Sequence, residues 1–243
     1  MRVVAIIQAR MGSTRLPGKV MKDLGGATVL ARVVNRTRRA RLIDEVVVAT
    51  TTAPGDDVIV DECRHLGVAC FRGDENDVLD RYYQCARQFA ADAVVRITSD
   101  CPLVDPELID ATVERFLEGK HDYVTNGVPA TFPRGLDVEV FTSDSLAFAW
   151  REAKESYERV HVTPYLYEQE GRFRVALLAS TGDYSHHRWT LDTNEDLELI
   201  RVIYEHFGNS DDMRWLEVLN MLDGEPELLA LNSHVRQKTL PEG

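Results

Sequence analysis

The chain has 243 residues, 44% hydrophobic and 28% charged, enough for one large domain or two small ones with a substantial core. A formal net charge of -12 argues against a broad nucleic-acid-binding or anionic-membrane surface. That total hides an asymmetry: residues 1–41 hold ten Lys and Arg against one acid, Asp23, and the rest of the chain holds 18 against 39. A basic first unit on an acidic chain points to a local anion site. No apolar run approaches the roughly 20 residues that span a bilayer. The N-terminus passes from strand-like residues into a charged loop, unlike a signal peptide. Cys63, Cys70, Cys85 and Cys101 include no CxxC pair, so neither a zinc site nor a disulfide framework is signalled. The expectation is a cytoplasmic protein with reduced thiols.

In chain order, residues 3–7 form a continuous apolar run, the pattern of a strand covered on both faces. A Gly/Pro-punctuated loop extends from residue 8 to 26, and residues 28–40 read as a helix with Val29, Leu30, Val33 and Val34 on one face. Residues 45–50 (EVVVAT) read as a second buried strand, 56–66 as a helix and 68–71 as a short strand. Asn76 is placed to cap the next helix, whose inner stripe is Leu79, Tyr82, Tyr83, Ala86, Phe89 and Ala90. Residues 93–98 (AVVRIT) follow as a strand, and Asp105-Pro106 opens a helix with the aspartate at its cap.

Strands alternating with helices predict an α/β fold with a doubly wound, mostly parallel sheet. Ligands in such sheets bind beyond the carboxyl ends of the strands. The second half is less regular. Strands are expected at 122–126, 138–142, 172–178 and 188–191, and helical segments near 143–155 and 162–170. Thr193 to Asp196 reads as a capping box opening a helix striped with Ile200, Ile203, Tyr204 and Phe207. One α/β domain over 1–243, with an excursion at 127–170, is the simplest organisation.

The loop Gln8-Ala-Arg-Met-Gly-Ser-Thr-Arg-Leu-Pro-Gly-Lys19 carries two glycines, two arginines, a lysine and two hydroxyls directly after a buried strand. Backbone N–H groups, hydroxyl donors and fixed positive charge suit a polyphosphate. It is not a P-loop: five residues separate Gly12 from Gly18-Lys19 where that motif has four, and Val20 stands where Ser or Thr would meet magnesium. It is not a dinucleotide fingerprint either, because no GxGxxG occurs there. Asp100, in SDCPLVDP, and Asp192, in RWTLDT, both fall at predicted strand ends. Magnesium favours one or two carboxylates with the remaining positions filled by water and substrate, so the two aspartates are candidate Mg²⁺ ligands. Asp105 is read as a helix cap.

The runs IIQARMGSTRLPGK, RITSDCPLVDPELI and WTLDTNEDLELI resemble the cytidylyltransferase family that activates acidic sugars, most closely the SpsF-like spore-coat-polysaccharide branch, related to CMP-sialic acid and CMP-KDO synthetases. The resemblance spans nearly the whole chain. It implies a Rossmann-like (GT-A-like) nucleotidyltransferase fold, a homodimer formed through the excursion, and attack on the α-phosphate of CTP or another NTP with pyrophosphate leaving. It also implies that Arg10, Gly12, Ser13, Arg15 and Lys19 bind the triphosphate, that Asp100 and Asp192 bind Mg²⁺, and that Arg72-Gly73 lies among the nucleotide contacts. Arg10, Lys19 and Asp100 are then the catalytic candidates. The loop begins with Gln8, where many relatives acting on sialic acid or KDO have proline.

Acceptor candidates concentrate in the excursion. Arg134 and Arg159 are placed to grip a sugar carboxylate or phosphate, and Asp137, Glu139 and His161 its hydroxyls. The alternative for each is an ion pair bracing a loop or dimer surface. His186-His187, read on a strand, point to opposite faces and make a poor zinc site. Residues 36–41 (RTRRAR) read as the solvated end of a helix. The expected partners are an NTP and a small anionic sugar, without nucleic acid or membrane. Two other readings stay open: a sugar-1-phosphate nucleotidyltransferase using another NTP, and a non-catalytic nucleotide-binding protein.

Overall fold

The apolar run near the N-terminus becomes strand β1 (Val3–Gln8), buried at every position but its last. The computed structural model describes residues 1–237. Six further strands join β1: β2 (Glu45–Thr51), β3 (Ala69–Gly73), β4 (Ala93–Thr98), β5 (Tyr123–Thr125), β6 (Glu139–Thr142) and β7 (Val175–Leu177). They form one sheet in the order β3-β2-β1-β4-β6-β5-β7. The four leading strands are mutually parallel, β6 runs antiparallel to both β4 and β5, and β7 is parallel to β5. This is the expected doubly wound, mostly parallel sheet.

Alternation along the strands sends side chains to two cores. Ala5, Ile7, Val48, Val95 and Val140 pack beneath helices α1 (Val29–Thr37), α2 (Asp57–His65) and α4 (Pro106–Gly119). Val4, Ile6, Val47, Val94 and Phe141 pack beneath α3 (Val78–Gln88), α5 (Ser143–Glu152), α6 (Ser156–His161) and α7 (Pro164–Glu168). A third core gathers Leu24, Leu103, Leu136 and Trp189 against α8 (Asn194–His206) and α9 (Trp215–Gly224). Strand order reverses between β1 and β4: the chain winds from β1 outward to β3, then returns to β4 on the other side. The crevice beyond their carboxyl ends is the expected binding position.

Several local expectations need correction. Asp77, not Asn76, caps α3, accepting the Asp80 N–H. The helix expected at 162–170 is the shorter α7, and a separate short helix, α6, precedes it unforeseen; Val162 between them has φ 74°. Residues 188–191 are not a strand; Arg188 makes a single isolated bridge to Arg134. The adjacent histidines therefore do not diverge, and the His186 and His187 rings lie 4.2 Å apart. Helix α9 had no counterpart in the sequence reading.

The basic run is the larger correction. Arg36 is 1% exposed and Arg32 is 6% exposed. Arg36 donates to the carbonyls of Leu103, Val104, Asp211 and Met213, and Arg32 to those of Leu24, Gly25 and Asn209. Five N–H donors on a planar fork suit this task, in which one side chain satisfies several orphan carbonyls. Only Arg38, Arg39 and Arg41 face solvent, as expected of the run.

Candidate active site

The loop after β1 folds back on itself. The Met11 carbonyl accepts from Ser13 N at 2.9 Å and from Gly18 N at 3.0 Å, and Ser13 Oγ accepts the Leu16 N–H at 3.3 Å. Gly18 has φ 68°, a left-handed conformation that glycine adopts without steric cost. Leu16 and Val20 are buried and anchor the loop from below. At its other end, Met11 N donates to Asp56 Oδ1 at 2.7 Å, tying the loop to the connection between β2 and α2. Arg15 and Lys19 are thus presented from a braced turn.

Asp100 sits in the turn that closes β4, where Cys101 N donates to the Thr98 carbonyl at 3.2 Å. Asp192 precedes α8. Lys19 Nζ lies 2.7 Å from Asp100 Oδ2 and 2.8 Å from Asp192 Oδ1, so both carboxylates converge on one point. Asp192 Oδ2 receives Arg15 at 2.7 Å and Arg188 at 2.9 Å. Arg188 also grips Asp196, with Nε 2.8 Å from Oδ1 and a terminal nitrogen 3.0 Å from Oδ2. Asp196 is fully buried, and its Oδ2 accepts the backbone N–H groups of Asp192 and Thr193. Asn232 donates to Asp196 Oδ1 and to the Arg188 carbonyl.

Charge states follow from these contacts. Burial pushes the Asp100 carboxyl up, but the Lys19 ammonium and its hydrogen bond outweigh that and hold it at about 2. Burial likewise pushes the Lys19 ammonium down, and Asp100 with Asp192 more than reverses this, raising it above its ordinary value. Both groups are therefore ionised at neutral pH.

The other nucleotide candidates have diverse surroundings. Arg10 is exposed at the loop's start, and its charge reaches buried Arg81, whose guanidinium is depressed first by burial. Gly12 is exposed, and a Cβ there would lie 3.6 Å from Glu75 Oε1. Arg72 is occupied as a brace, donating to the carbonyls of Thr51 and Ala53 and to Asp57. A Cβ on Gly73 would stand 3.0 Å from both Arg81 and Phe71, so the position has no room for a side chain.

The acceptor candidates separate in space. Asp137 accepts the Gly135 N–H at 3.0 Å; burial raises its pKa, with the Arg134 charge opposing, and its own charge reaches Cys101 beside Asp100. Glu139 is buried, paired with Arg96 and accepting from Tyr123 at 2.6 Å and Thr163 at 2.5 Å. Arg134 is held by its backbone, donating to His187 O and accepting from Trp189 N. Arg159 is engaged away from them, its guanidinium on Asp77 and the Trp150 carbonyl, bracing α6 against α3. His161 ends α6, its carbonyl accepting from Thr163 N.

Two hard oxygen anions converging on one atom match what magnesium asks of a protein, one or two carboxylates with substrate oxygens completing the shell. Among the described residues no group of three or more His, Cys, Asp or Glu side chains forms a metal cage. Asp100 and Asp192 thus fit a divalent ion that shares its shell with a ligand. A cavity of about 730 Å³ opens elsewhere, between Arg39, Asp110 and Arg214, but its three arginines are paired with Asp212, Asp110 and Glu107. No helix among the described residues is long and apolar enough to cross a membrane.

Sequence reasoning missed Arg96, Arg188 and the second role of Asp196. Arg96 had a visible signal, a charge inside an otherwise apolar strand, AVVRIT. Asp196 was legible only as a helix cap, which it is, and its pairing with Arg188 required the fold.

A doubly wound sheet with a cationic loop and two converging carboxylates at its switch point defines a nucleotidyltransferase. A cytidylyltransferase family profile matches residues 4–223, and the chain belongs to the cytidylyltransferase family. It is 41% identical to an uncharacterized protein of Methanocaldococcus jannaschii, covering 100% of this chain and 99% of that one. It is 34% identical to the spore coat polysaccharide biosynthesis protein SpsF of Bacillus subtilis, over 93% and 95% of the two chains. A 3-deoxy-manno-octulosonate cytidylyltransferase of Pelobacter propionicus is 29% identical over 84% of this chain and 86% of its own. Among solved structures, a cytidylyltransferase from Leptospira borgpetersenii superposes with a TM-score of 0.91 at 34% identity, covering 98% and 100% of the chains.

Proposed function

We propose that this enzyme transfers CMP from CTP to a hydroxyl of a small acidic or phosphorylated sugar, releasing pyrophosphate, as a Mg²⁺-dependent step in surface-polysaccharide biosynthesis. One observation carries the reading: the convergence of Lys19, Asp100 and Asp192 beside Arg15 at the β1/β4 switch point. Mere nucleotide binding does not call for two carboxylates at the cationic loop. The acidic-sugar assignment draws support from the matched motifs and from relatives described as acting in polysaccharide biosynthesis and on 3-deoxy-manno-octulosonate.

Phosphoryl transfer asks little covalent chemistry of the protein; positioning and charge neutralisation supply most of the acceleration. The loop N–H groups, Arg10, Ser13 and Arg15 bind the triphosphate, and Lys19 offsets charge growing on the departing pyrophosphate. Asp100 and Asp192 would hold the Mg²⁺, which when bound would supply Lewis-acid polarisation of the α-phosphate and a more acidic acceptor hydroxyl. Asp137 and Arg134, next to the Asp100 turn, orient the acceptor, and Glu139 fixes the wall behind them. No side chain is assigned as a dedicated general base. The working unit is a cytoplasmic homodimer joined through the 127–170 excursion.

The test is pyrophosphate release from each NTP against a panel of sugar acids and sugar phosphates. Release with CTP and a sugar acid is the expected result. Release only with another NTP and a sugar 1-phosphate reassigns the substrates. Tight nucleotide binding with no release from any pair overturns catalysis in favour of a binding protein.

A further inference from the structure

Three cations and three carboxylates form one closed cluster: Lys19, Arg15 and Arg188 against Asp100, Asp192 and Asp196. Formal charge within it sums to zero. Both oxygens of Asp192 are engaged, Oδ1 by Lys19 and Oδ2 by Arg15 and Arg188, and Asp100 Oδ2 is engaged by Lys19 as well. A divalent cation must compete for these oxygens with the ammonium that lies between them. With the cluster already neutral, an added divalent ion finds no uncompensated negative charge until the ammonium leaves.

We propose that Lys19 is the resident counter-cation of the Asp100–Asp192 pair, and that it gives way to a divalent ion only when a polyphosphate arrives to receive it. The protein then takes up metal and nucleotide together and holds little metal alone. The part that must move is the side-chain end. The Lys19 backbone is fixed in a helical turn beside buried Val20, whereas its ammonium rides a flexible four-carbon stem. Arg188, anchored on buried Asp196, stays on Asp192 Oδ2 and keeps that carboxylate aimed, so one cation can be exchanged without dismantling the site. The proposal rests on the nucleotidyltransferase reading for the identity of the polyphosphate, and the exchange itself is measurable without turnover.

The experiment is a Mn²⁺ titration of the nucleotide-free protein, followed by electron paramagnetic resonance of the free ion, with and without inorganic triphosphate. The native protein is expected to bind Mn²⁺ weakly alone and much more tightly with triphosphate. Lys19→Met should bind Mn²⁺ alone about tenfold more tightly or better, and should gain less from triphosphate. Arg15→Gln, at a more exposed position, should shift binding the same way by a smaller factor, and it keeps the test valid if Lys19→Met does not fold. Tight Mn²⁺ binding by the native protein alone, or unchanged or weaker binding in the folded variants, overturns the proposal. A failure of pyrophosphate release with every acceptor would instead overturn the catalytic reading and leave this titration unaffected.

Discussion

Leu191 donates its backbone N–H to the Asp100 carbonyl at 2.8 Å, and that bond couples the segments carrying the two carboxylates. The spacing of Asp100 and Asp192 is therefore set by the main chain, not by side-chain choice. Asp100→Asn keeps the shape and the backbone bond while removing one anion. Turnover that depends on added Mg²⁺ should fall about 100-fold or more, with the fold intact by circular dichroism. Near-normal activity would remove Asp100 from the metal site.

Lys19→Ala removes the cation that, alone among the described residues, touches both aspartates. Steady-state kinetics should show the KM for the NTP rising about tenfold or more, with the acceptor KM changing far less. An effect confined to the acceptor would sink the assignment of Lys19 to the triphosphate.

Arg188→Met tests the buried pair beneath the site. Asp196 is fully buried, and Arg188 is its charged partner. Removing one member of a buried pair strands the other, at a cost of about 3–5 kcal/mol. Urea denaturation is the measure; a loss near zero would mean Asp196 is satisfied by backbone N–H groups and Asn232 alone.

Arg36→Met and Arg39→Met, three residues apart, should behave very differently. Arg36 is buried on four carbonyls, and its loss should cost about 3 kcal/mol by stranding them. Arg39 is exposed and, among the described residues, pairs with exposed Asp212, so its loss should stay within about 0.5 kcal/mol. Equal effects in melting experiments would contradict the buried placement of Arg36.

The acid side of the stability curve should report Asp100. Its folded carboxyl stands at about 2, below the roughly 3.9 of an unfolded aspartate. Its contribution is therefore present above about pH 4 and is lost as pH falls through about 2. Lys19 has the opposite sign: with its folded pKa raised above 10.5, its contribution is present below that value and is lost as pH rises through the raised one. Melting temperature against pH should fall less steeply on the acid side in Asp100→Asn. An unchanged slope would place the acid sensitivity elsewhere.

How much of this was legible in the sequence depends on the range of the interaction that decides each feature. Local signals carried well: continuous apolar runs gave β1, β2 and β4, and Asp105 and Thr193 cap their helices as read. Arg15, Lys19, Asp100 and Asp192, which the structure brings together, were visible because they stand at strand ends with motif context. What failed was decided by distant partners. Arg36 looks like a helix-end cation until residues 211 and 213 bring their carbonyls to it. Arg159 looks like a substrate clamp until Asp77, 82 residues earlier, takes its guanidinium. The residues at 188–191 have strand-like composition, but no neighbouring strand extends alongside them beyond one bridge.

The long reach between Lys19 and Asp192 also has a consequence for biogenesis. The two are 173 residues apart in sequence. A ribosome adding roughly 5–20 residues per second makes the cationic loop about 9–35 s before its distal counter-charge exists. For that interval the nascent chain carries Arg10, Arg15 and Lys19 without Asp192, so the loop's charge waits on a partner from a distant part of the chain.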